Sequence, residues 1–378
     1  MTLVAHLQAA GSVPAAWLPS LRGVDRADYV PAQAWADVAD DDSVQCVPID
    51  RDAAPEQWTE AVYSDRPIVT QYDDGATVWP AVGYLPTCSA SQPSVVVGML
   101  DALDVHEGHR VLEIGTGTGY NAALLAHRLG DNAVTSIEVD PVLADQARRR
   151  LVAAGHPVRV VTGDGAVGCP ERAPYDRVIA TASVRIGQVP YAWVEQTRPG
   201  GVILAPMRAD LTTGPLVRFE VGGDGTAVGR PVPLRVGFME LRAQRRSSRW
   251  TRKRWDDPAA DLTHTETPPW PVLLLDDPRW AVAVAVPQCR FTVWEKTDER
   301  PGVAWLVDTV SASWASIAPA PRGGQPDLGG RYEVRQHGPR RLWDEVEAAY
   351  RWWDARGRPP LAAWRFTVTP DAQPVDLG

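Results

Sequence analysis

Residues 110–119 read Arg-Val-Leu-Glu-Ile-Gly-Thr-Gly-Thr-Gly, and the fold turns on them. Val111, Leu112 and Ile114 form a short apolar run of strand character. It enters three glycines at alternate positions, Gly115, Gly117 and Gly119. Tyr120, Ala122, Ala123, Leu124, Leu125 and Ala126 then take up helical spacing at once. Strand, glycine turn and helix make a nucleotide-binding corner. Without a Cβ the backbone turns tightly and a ligand can lie against it. Glu113 stands just before the turn, where a carboxylate can meet a cation.

The spacing decides between cofactors. The dinucleotide fingerprint G-x-G-x-x-G sets its last glycine at the helix start, under a pyrophosphate. Here that position is Tyr120, and the third glycine comes one residue early. E-x-G-x-G-x-G, with Thr116 between the first two glycines, resembles instead the cofactor turn of S-adenosylmethionine (SAM) methyltransferases. SAM has no phosphate to seat, and its sulfonium and ammonium suit an acidic corner. Val134-Thr135-Ser136-Ile137-Glu138 is a second strand, ending in an acid 19 residues after Gly119. A carboxylate there can accept from both ribose hydroxyls. Val158–Thr162 is a third strand, followed by Gly163-Asp164-Gly165, with Asp164 placed to accept from the adenine amino group. A lone acid is usually just solvated; three at successive strand ends, in this order, form the signal. The expected cofactor set is Glu113, Gly115, Thr116, Gly117, Gly119, Glu138, Asp164 and Gly165.

The chain has 378 residues, which suits two domains. Its net charge of −9 disfavours nucleic acid, whose binding calls for a basic face. Cys46, Cys88, Cys169 and Cys289 are scattered without C-x-x-C spacing, which argues against a metal site or a disulfide framework. Free cysteines and the lack of a signal-peptide pattern point to a reducing cytoplasm. The longest apolar runs, such as Trp280–Pro287, are too short to span a bilayer, so no membrane partner is expected. Of 16 tryptophans, 11 follow residue 243, so the C-terminal part must fold.

Residues 1–90 read as an N-terminal extension packing on the catalytic domain. It holds a helix at about 2–10 and strands at 63–71 and 77–79. Ser91-Gln92-Pro93 reads as a helix start, with Ser91 as N-cap. Residues 91–241 alternate strand and helix, giving a parallel doubly wound sheet with strands at 110–114, 134–138, 158–162, 176–181 and 201–205. Residues 213–221 and 227–238 suggest antiparallel strands at one edge. Residues 242–258 form a basic linker. Arg242, Arg245, Arg246, Arg249, Arg252, Lys253 and Arg254 surround Trp250, a run that suits either a solvated connection or a dock for an acidic peptide. Residues 259–378 read as an α+β accessory domain. Its strands are expected at 280–286, 291–295, 303–308, 312–317 and 331–335. A Gly/Pro-rich loop spans 319–330, an amphipathic helix lies near 340–356 and a last strand covers 364–369.

The flanks of the cofactor turn carry a more specific likeness. Ser89-Ala90-Ser91-Gln92-Pro93 resembles the T-I-S-x-P motif of protein-L-isoaspartate O-methyltransferases. Val24-Asp25-Arg26-Ala27-Asp28-Tyr29-Val30-Pro31 is similar to that family's V-P-R-x-x-F-V-P, and Ala61-Val62-Tyr63-Ser64-Asp65 to its A-Y-x-D. Gly163-Asp164-Gly165, Ala173-Pro174-Tyr175-Asp176-Arg177-Val178, Gly200-Gly201 and Val236-Gly237-Phe238-Met239 look like its G-D-G, A-P-Y-D-R-I, G-G and R-F-V-P. The resemblance covers about residues 12–241. It departs at Ser89-Ala90, which keeps a hydroxyl but loses bulk, and in a further 137 residues beyond the simple repair enzymes. That layout, with 335–346, resembles methyltransferases encoded beside ATP-grasp enzymes in ribosomal peptide (graspetide) maturation.

The resemblance implies a Rossmann-like SAM-dependent methyltransferase domain and an acidic peptide or protein as partner. The reaction it implies is O-methylation of an aspartyl carboxylate on a macrocyclic peptide, followed by collapse to an aspartimide; the alternative is repair of isoaspartyl residues. A carboxylate is ionised at neutral pH and needs no general base, only alignment. Ser91 is the expected catalytic group, holding that carboxylate by a hydrogen bond, with Ser89 and Thr87 as further substrate contacts. His337, in Gln-His-Gly-Pro, is more simply read as a loop residue than as a functional one.

Overall fold

The computed structural model describes residues 3–40, 43–246, 257–295, 302–322, 325–326 and 330–378. They form two compact units. The first comprises residues 1–206, 215–244 and 366–374; the second comprises 207–214, 245–365 and 375–378.

The first unit opens with helices α1 (Leu3–Ala9) and α2 (Leu18–Gly23). Strands β1 (Gln33–Asp40) and β2 (Ser43–Asp50), helix α3 (Pro55–Val62), and strands β3 (Ile68–Tyr72) and β4 (Pro86–Ala90) follow. The strands form an antiparallel sheet in the order β2-β1-β3-β4. The expected strand at 63–71 is therefore shorter. Trp58 and Val62, four residues apart, bury the inner face of α3, which ends at Val62. The expected strand at 77–79 is absent: Thr77 makes a single bridge to Tyr72, and the paired strand comes later, at β4. Arg26 secures this region. Its buried guanidinium donates to the carbonyls of Val62, Ser64, Arg66, Ala90 and Ser91 at 2.8–3.1 Å.

Helix α4 (Pro93–Leu103) leads into β5 (Val111–Ile114), α5 (Tyr120–Leu129), β6 (Val134–Glu138), α6 (Pro141–Ala153), β7 (Arg159–Thr162) and β8 (Tyr175–Ala180). A two-residue strand β9 (Val184–Arg185), helix α7 (Tyr191–Glu195), and strands β10 (Thr197–Arg208), β11 (Thr213–Val221) and β12 (Ala227–Arg235) complete the run. The sheet order is β12-β11-β10-β8-β5-β6-β7, parallel from β10 to β7, with β11 and β12 antiparallel. This is the α/β methyltransferase architecture. β5 and β6 are buried on both faces, as crossover helices require. Val97, Leu100, Leu103, Leu124, Leu125 and Leu151 of α4, α5 and α6 pack over Val111, Val134 and Ile179. Arg177, the basic residue of Tyr-Asp-Arg, closes α4 by donating to Leu103 O and Asp104 O, each at 2.8 Å.

The second unit holds a five-stranded antiparallel sheet. Its members are β13 (Asp261–Thr265), β14 (Cys289–Trp294), β15 (Val303–Asp308), β16 (Trp314–Pro319) and, after the two-residue pair β17 (Pro321–Arg322) and β18 (Gln325–Pro326), β19 (Tyr332–His337). The order is β13-β19-β16-β15-β14. Helices α8 (Pro269–Leu274), α9 (Asp276–Ala285) and α10 (Leu342–Asp354) pack on it through Val272, Val282, Leu342, Trp343 and Val346. Residues 280–286, expected as a strand, lie mainly in α9. A short apolar run fits a buried helix as well as a strand, and Trp280 through Ala283 are indeed all buried. On the opposite sheet face Trp294, Trp305 and Trp314 pack with tilted rings, their centroids 5.2 and 5.4 Å apart, and His337 lies nearly parallel to Trp314.

The last expected strand is β20 (Trp364–Val368). It was read with the accessory domain, yet Phe366–Val368 pair with Ala227–Gly229 of β12 in the first unit. Phe366 packs edge-on against Phe219, and Gln373 exchanges two hydrogen bonds with the Val189 backbone. Of the basic run, Arg249, Trp250, Arg252, Lys253 and Arg254 lie outside the described residues. Among the described residues, no helix is long and apolar enough to cross a membrane, and no cluster of His, Cys, Asp or Glu could hold a metal ion.

Candidate active site

The glycine turn is built from the strands beneath it. Gly115 N and Thr116 N both donate to Ile137 O of β6, and Gly119 N returns to Thr116 O. Gly115, Gly117 and Gly119 have φ of +98°, +55° and +96°, a region that side-chain-bearing residues avoid. A Cβ on Gly115 would lie 2.8 Å from Thr181 Oγ1, and one on Gly165 2.5 Å from Ile114 Cγ2. Thr181, which the sequence reading passed over, donates its hydroxyl to Gly115 O at 2.6 Å and ties the end of β8 to the turn. Thr116 turns its hydroxyl inward to Ser136, at 2.6 Å.

The three acids hold different positions. Glu113 is 0 % exposed: one carboxylate oxygen accepts from Asn121 at 2.7 Å and the other from the Ser136 hydroxyl. The expectation that it meets a ligand cation directly does not fit this burial; it braces the turn from beneath. Burial pushes its carboxyl from 4.5 to about 7, against the two hydrogen bonds and with help from the charge of Glu138. Glu138 ends β6, as expected, and accepts from Gly117 N at 2.9 Å and Asp140 N at 3.1 Å. Its carboxyl is also raised, chiefly by burial, while the two N–H groups and Arg242 favour the charged form. Asp164 is exposed, and its Oδ1 accepts from Ala166 N at 2.9 Å. Gly165 is buried beside it, with its carbonyl fixed by Trp193 Nε1 at 2.8 Å.

Strand β4 crosses the turn. A Cβ on Gly117 would lie 3.6 Å from Cys88 Sγ and 3.7 Å from Ser89 O. Thr87, Ser89 and Ser91 are half-buried and alternate in sequence with buried Cys88 and Ala90, while the pairing with β3 shifts register between Cys88 and Pro86. Thr87 is committed locally: it donates to Gln71 Oε1 at 2.8 Å and accepts from Asp74 N at 3.1 Å. Ser91 is partly buried. Arg26 holds its carbonyl, and its hydroxyl has no hydrogen-bond partner among the described residues. It is not the N-cap. Gln92 occupies that position, and the orphan amide of Ser94 is taken by Asp65 Oδ1 at 2.8 Å. An acid from 29 residues upstream does the capping and leaves the Ser91 hydroxyl available. Cys88 is fully buried, and burial pushes its thiol up to about 12, so it stays protonated.

Side chains that the sequence reading did not assign to the cofactor site clasp this corner: Asp140 and Gln71, which it passed over, and Arg242, which it placed in the basic linker. Asp140 caps α6 by accepting from Val142 N and Leu143 N; the Asp140-Pro141 pair was a local signal for it. Its other oxygen accepts from Gln71 at 3.1 Å. Arg242 reaches Asp74 at 3.0 Å and Asp140 at 3.7 Å. A cavity of about 350 Å³ opens beside Gly117 and Thr118, lined also by Gln33, Thr70, Gln146 and Arg150.

A positively charged sulfonium cofactor fits these residues. The turn is bare of Cβ atoms where a ligand must approach, an acid ends the neighbouring strand, and an exposed acid stands at the next. The comparisons agree. The chain is 41% identical to a protein-L-isoaspartate O-methyltransferase of Azorhizobium caulinodans over 156 residues, 40% of this chain and 70% of that protein. It is 37% identical to one of Ignicoccus hospitalis over 189 residues, 50% of this chain and 81% of that protein. A solved protein-L-isoaspartate O-methyltransferase superposes with a TM-score of 0.54 at 20% identity, over 100% of this chain and 98% of that one, a likeness of fold. The profile of protein-L-isoaspartate(D-aspartate) O-methyltransferases matches residues 38–243, more than half of the sequence. The chain belongs to the protein-L-isoaspartate(D-aspartate) O-methyltransferase family and is a SAM-dependent protein carboxyl methyltransferase by that membership.

Proposed function

We propose that the chain methylates the free carboxylate of an aspartyl-type residue in a polypeptide (the side-chain group of Asp, the α-carboxylate of an isoaspartyl residue), with Ser91 as the group that holds that carboxylate. The observation that carries this is the free Ser91 hydroxyl at the end of a strand that crosses the glycine turn. SAM, when bound, supplies a methyl group made electrophilic by the sulfonium. The acceptor is already ionised, so the protein's task is to orient it and keep water out. Ser91 donates to one carboxylate oxygen and leaves the other free to attack. Ser89 lines the approach, and Thr87 fixes the strand. Glu138 meets the ribose hydroxyls and Asp164 the adenine edge, on the backbone platform of Gly115, Thr116, Gly117, Gly119 and Gly165. Glu113 supports that platform from below.

Family membership and the relatives' names support isoaspartyl residues of damaged proteins as the acceptor most directly. One observation favours a second acceptor, an ordinary Asp in a dedicated ribosomal peptide. A folded unit occupies most of 245–365, beyond the matched residues 38–243. In either case the ester activates the carbonyl. The next backbone nitrogen attacks it, methanol leaves, and a five-membered imide closes. The test offers purified enzyme and labelled SAM an isoaspartyl peptide and an Asp-containing macrocyclic peptide, with methyl esters, methanol and imide followed by mass spectrometry. Turnover of the isoaspartyl peptide alone selects repair; turnover of the macrocycle alone selects the dedicated peptide; label on nitrogen or carbon in any product overturns the carboxyl reading.

A further inference from the structure

Residues 73–85, between β3 and β4, form a loop that is tightly built yet displays apolar side chains to water. Its ends meet through Asp73 N, which donates to Leu85 O at 2.8 Å. The Asp73 carboxylate binds both arms, accepting from Thr77 Oγ1 at 2.6 Å, Tyr84 N at 3.0 Å and Leu85 N at 2.8 Å. Those three bonds hold its carboxyl below the usual range. A turn at Ala81 N to Val78 O shapes the tip, and Trp35 Nε1 of β1 donates to Pro80 O at 3.4 Å. On this frame Val78 is 75%, Val82 52%, Tyr84 96% and Leu85 40% exposed. Keeping four large apolar side chains of one loop in water is unfavourable.

The loop is continuous with the acceptor strand. It runs directly into β4, and Asp74 N donates to Thr87 at its foot. Arg242 ties Asp74 to Asp140, next to the ribose acid Glu138. Leu85 precedes Ser91 by six residues across β4, at most about 20 Å of extended chain. A polypeptide whose acceptor residue sits at Ser91 and that follows β4 therefore reaches the loop about six residues away.

We propose that Val78, Val82, Tyr84 and Leu85 form a preorganised docking surface for the acceptor polypeptide, which takes an apolar side chain about six residues from the methylated one. This rests on the carboxyl-methylation reading for its geometry. A preorganised apolar patch adds no ordering cost of its own to binding, and its distance from the reacting carboxylate places its contribution in affinity and not in the methyl-transfer step. Two fluorescent peptides of roughly fifteen residues serve as probes, each with a central isoaspartyl residue; one carries Leu six positions to either side and the other Ser. Binding is read by anisotropy with enzyme saturated in S-adenosylhomocysteine, and turnover separately with SAM.

For the Leu peptide, V78S/V82S/Y84S should raise Kd and KM about tenfold at unchanged kcat, a loss of about 1.4 kcal/mol. For the Ser peptide the two enzymes should agree within about twofold, as they should for S-adenosylhomocysteine. Equal Kd for the Leu peptide in native and variant enzyme, or no binding by either, overturns the docking surface. Binding that shows the expected loss but never leads to a methyl ester overturns the carboxyl reading and leaves the surface standing.

Discussion

Glu113 is a carboxyl group placed where water cannot reach it, and its titration follows. Folded, it titrates near 7; unfolded, near 4.5. Between those values the folded chain keeps a proton that the unfolded chain releases, so rising pH favours unfolding across that window. The loss is absent below about 4.5 and complete above about 7, where it reaches about 3 kcal/mol. Glu113→Gln removes it. Urea titrations at pH 5, 6 and 7 should show native stability falling relative to E113Q by about 1.4 kcal/mol per pH unit; parallel curves would refute the assignment. Ser91 is the opposite case, a hydroxyl with nothing else to do. Ser91→Ala should lower kcat/KM about thirtyfold, the worth of one hydrogen bond to a charged group, with the SAM affinity kept. An unchanged rate would remove Ser91 from the site.

At the scale of elements, the turn and its clamps carry the predictions. Gly115→Ala must accommodate a φ of +98° and push Thr181 aside. It should weaken SAM binding at least tenfold by calorimetry while the chain still folds. Arg26 spans two elements at once, joining the end of α3 to the end of β4. Arg26→Ala strands five carbonyls and should cost at least about 3 kcal/mol in denaturant unfolding; Arg26→Lys, with three donors for five carbonyls, should recover only part. Much of the turn was legible in the sequence because its signals are local: Val111 through Gly119 and Asp164-Gly165 are each read within a few residues. Glu138 was found by its place at the next strand end. The clamps were not legible. Arg26 reaches carbonyls 36 to 65 residues away, Asp65 caps a helix 29 residues on, and Thr181 meets Gly115 across 66. No periodicity or spacing rule spans such distances. Residues 280–286 failed for a different reason, since four consecutive buried side chains have the same hydrophobicity whether they wind or extend.

At the scale of the whole molecule, the second unit takes residues 207–214, 245–365 and 375–378, and the segment 366–374 belongs to the first. The chain leaves the first unit at Gln244 and returns at Phe366 to lay β20 beside β12. A chain ending at Gln244 lacks that edge, the Phe219–Phe366 contact and the Gln373 bonds to Val189. Its sheet should melt several degrees lower, by about 2–4 kcal/mol of lost packing, and a synthetic peptide covering 364–376 should restore part of the difference in a thermal scan. Equal melting with and without the peptide would show β20 to be dispensable. The same return of the chain sets an order of events during synthesis. The glycine turn, Ser91 and Glu138 leave the ribosome early, but the sheet that supports them stays open at one edge until residues 366–374 emerge. Residues 245–365, most of the second unit, are therefore synthesised before the strand that pairs with β12, and β20 can add to that edge only after them.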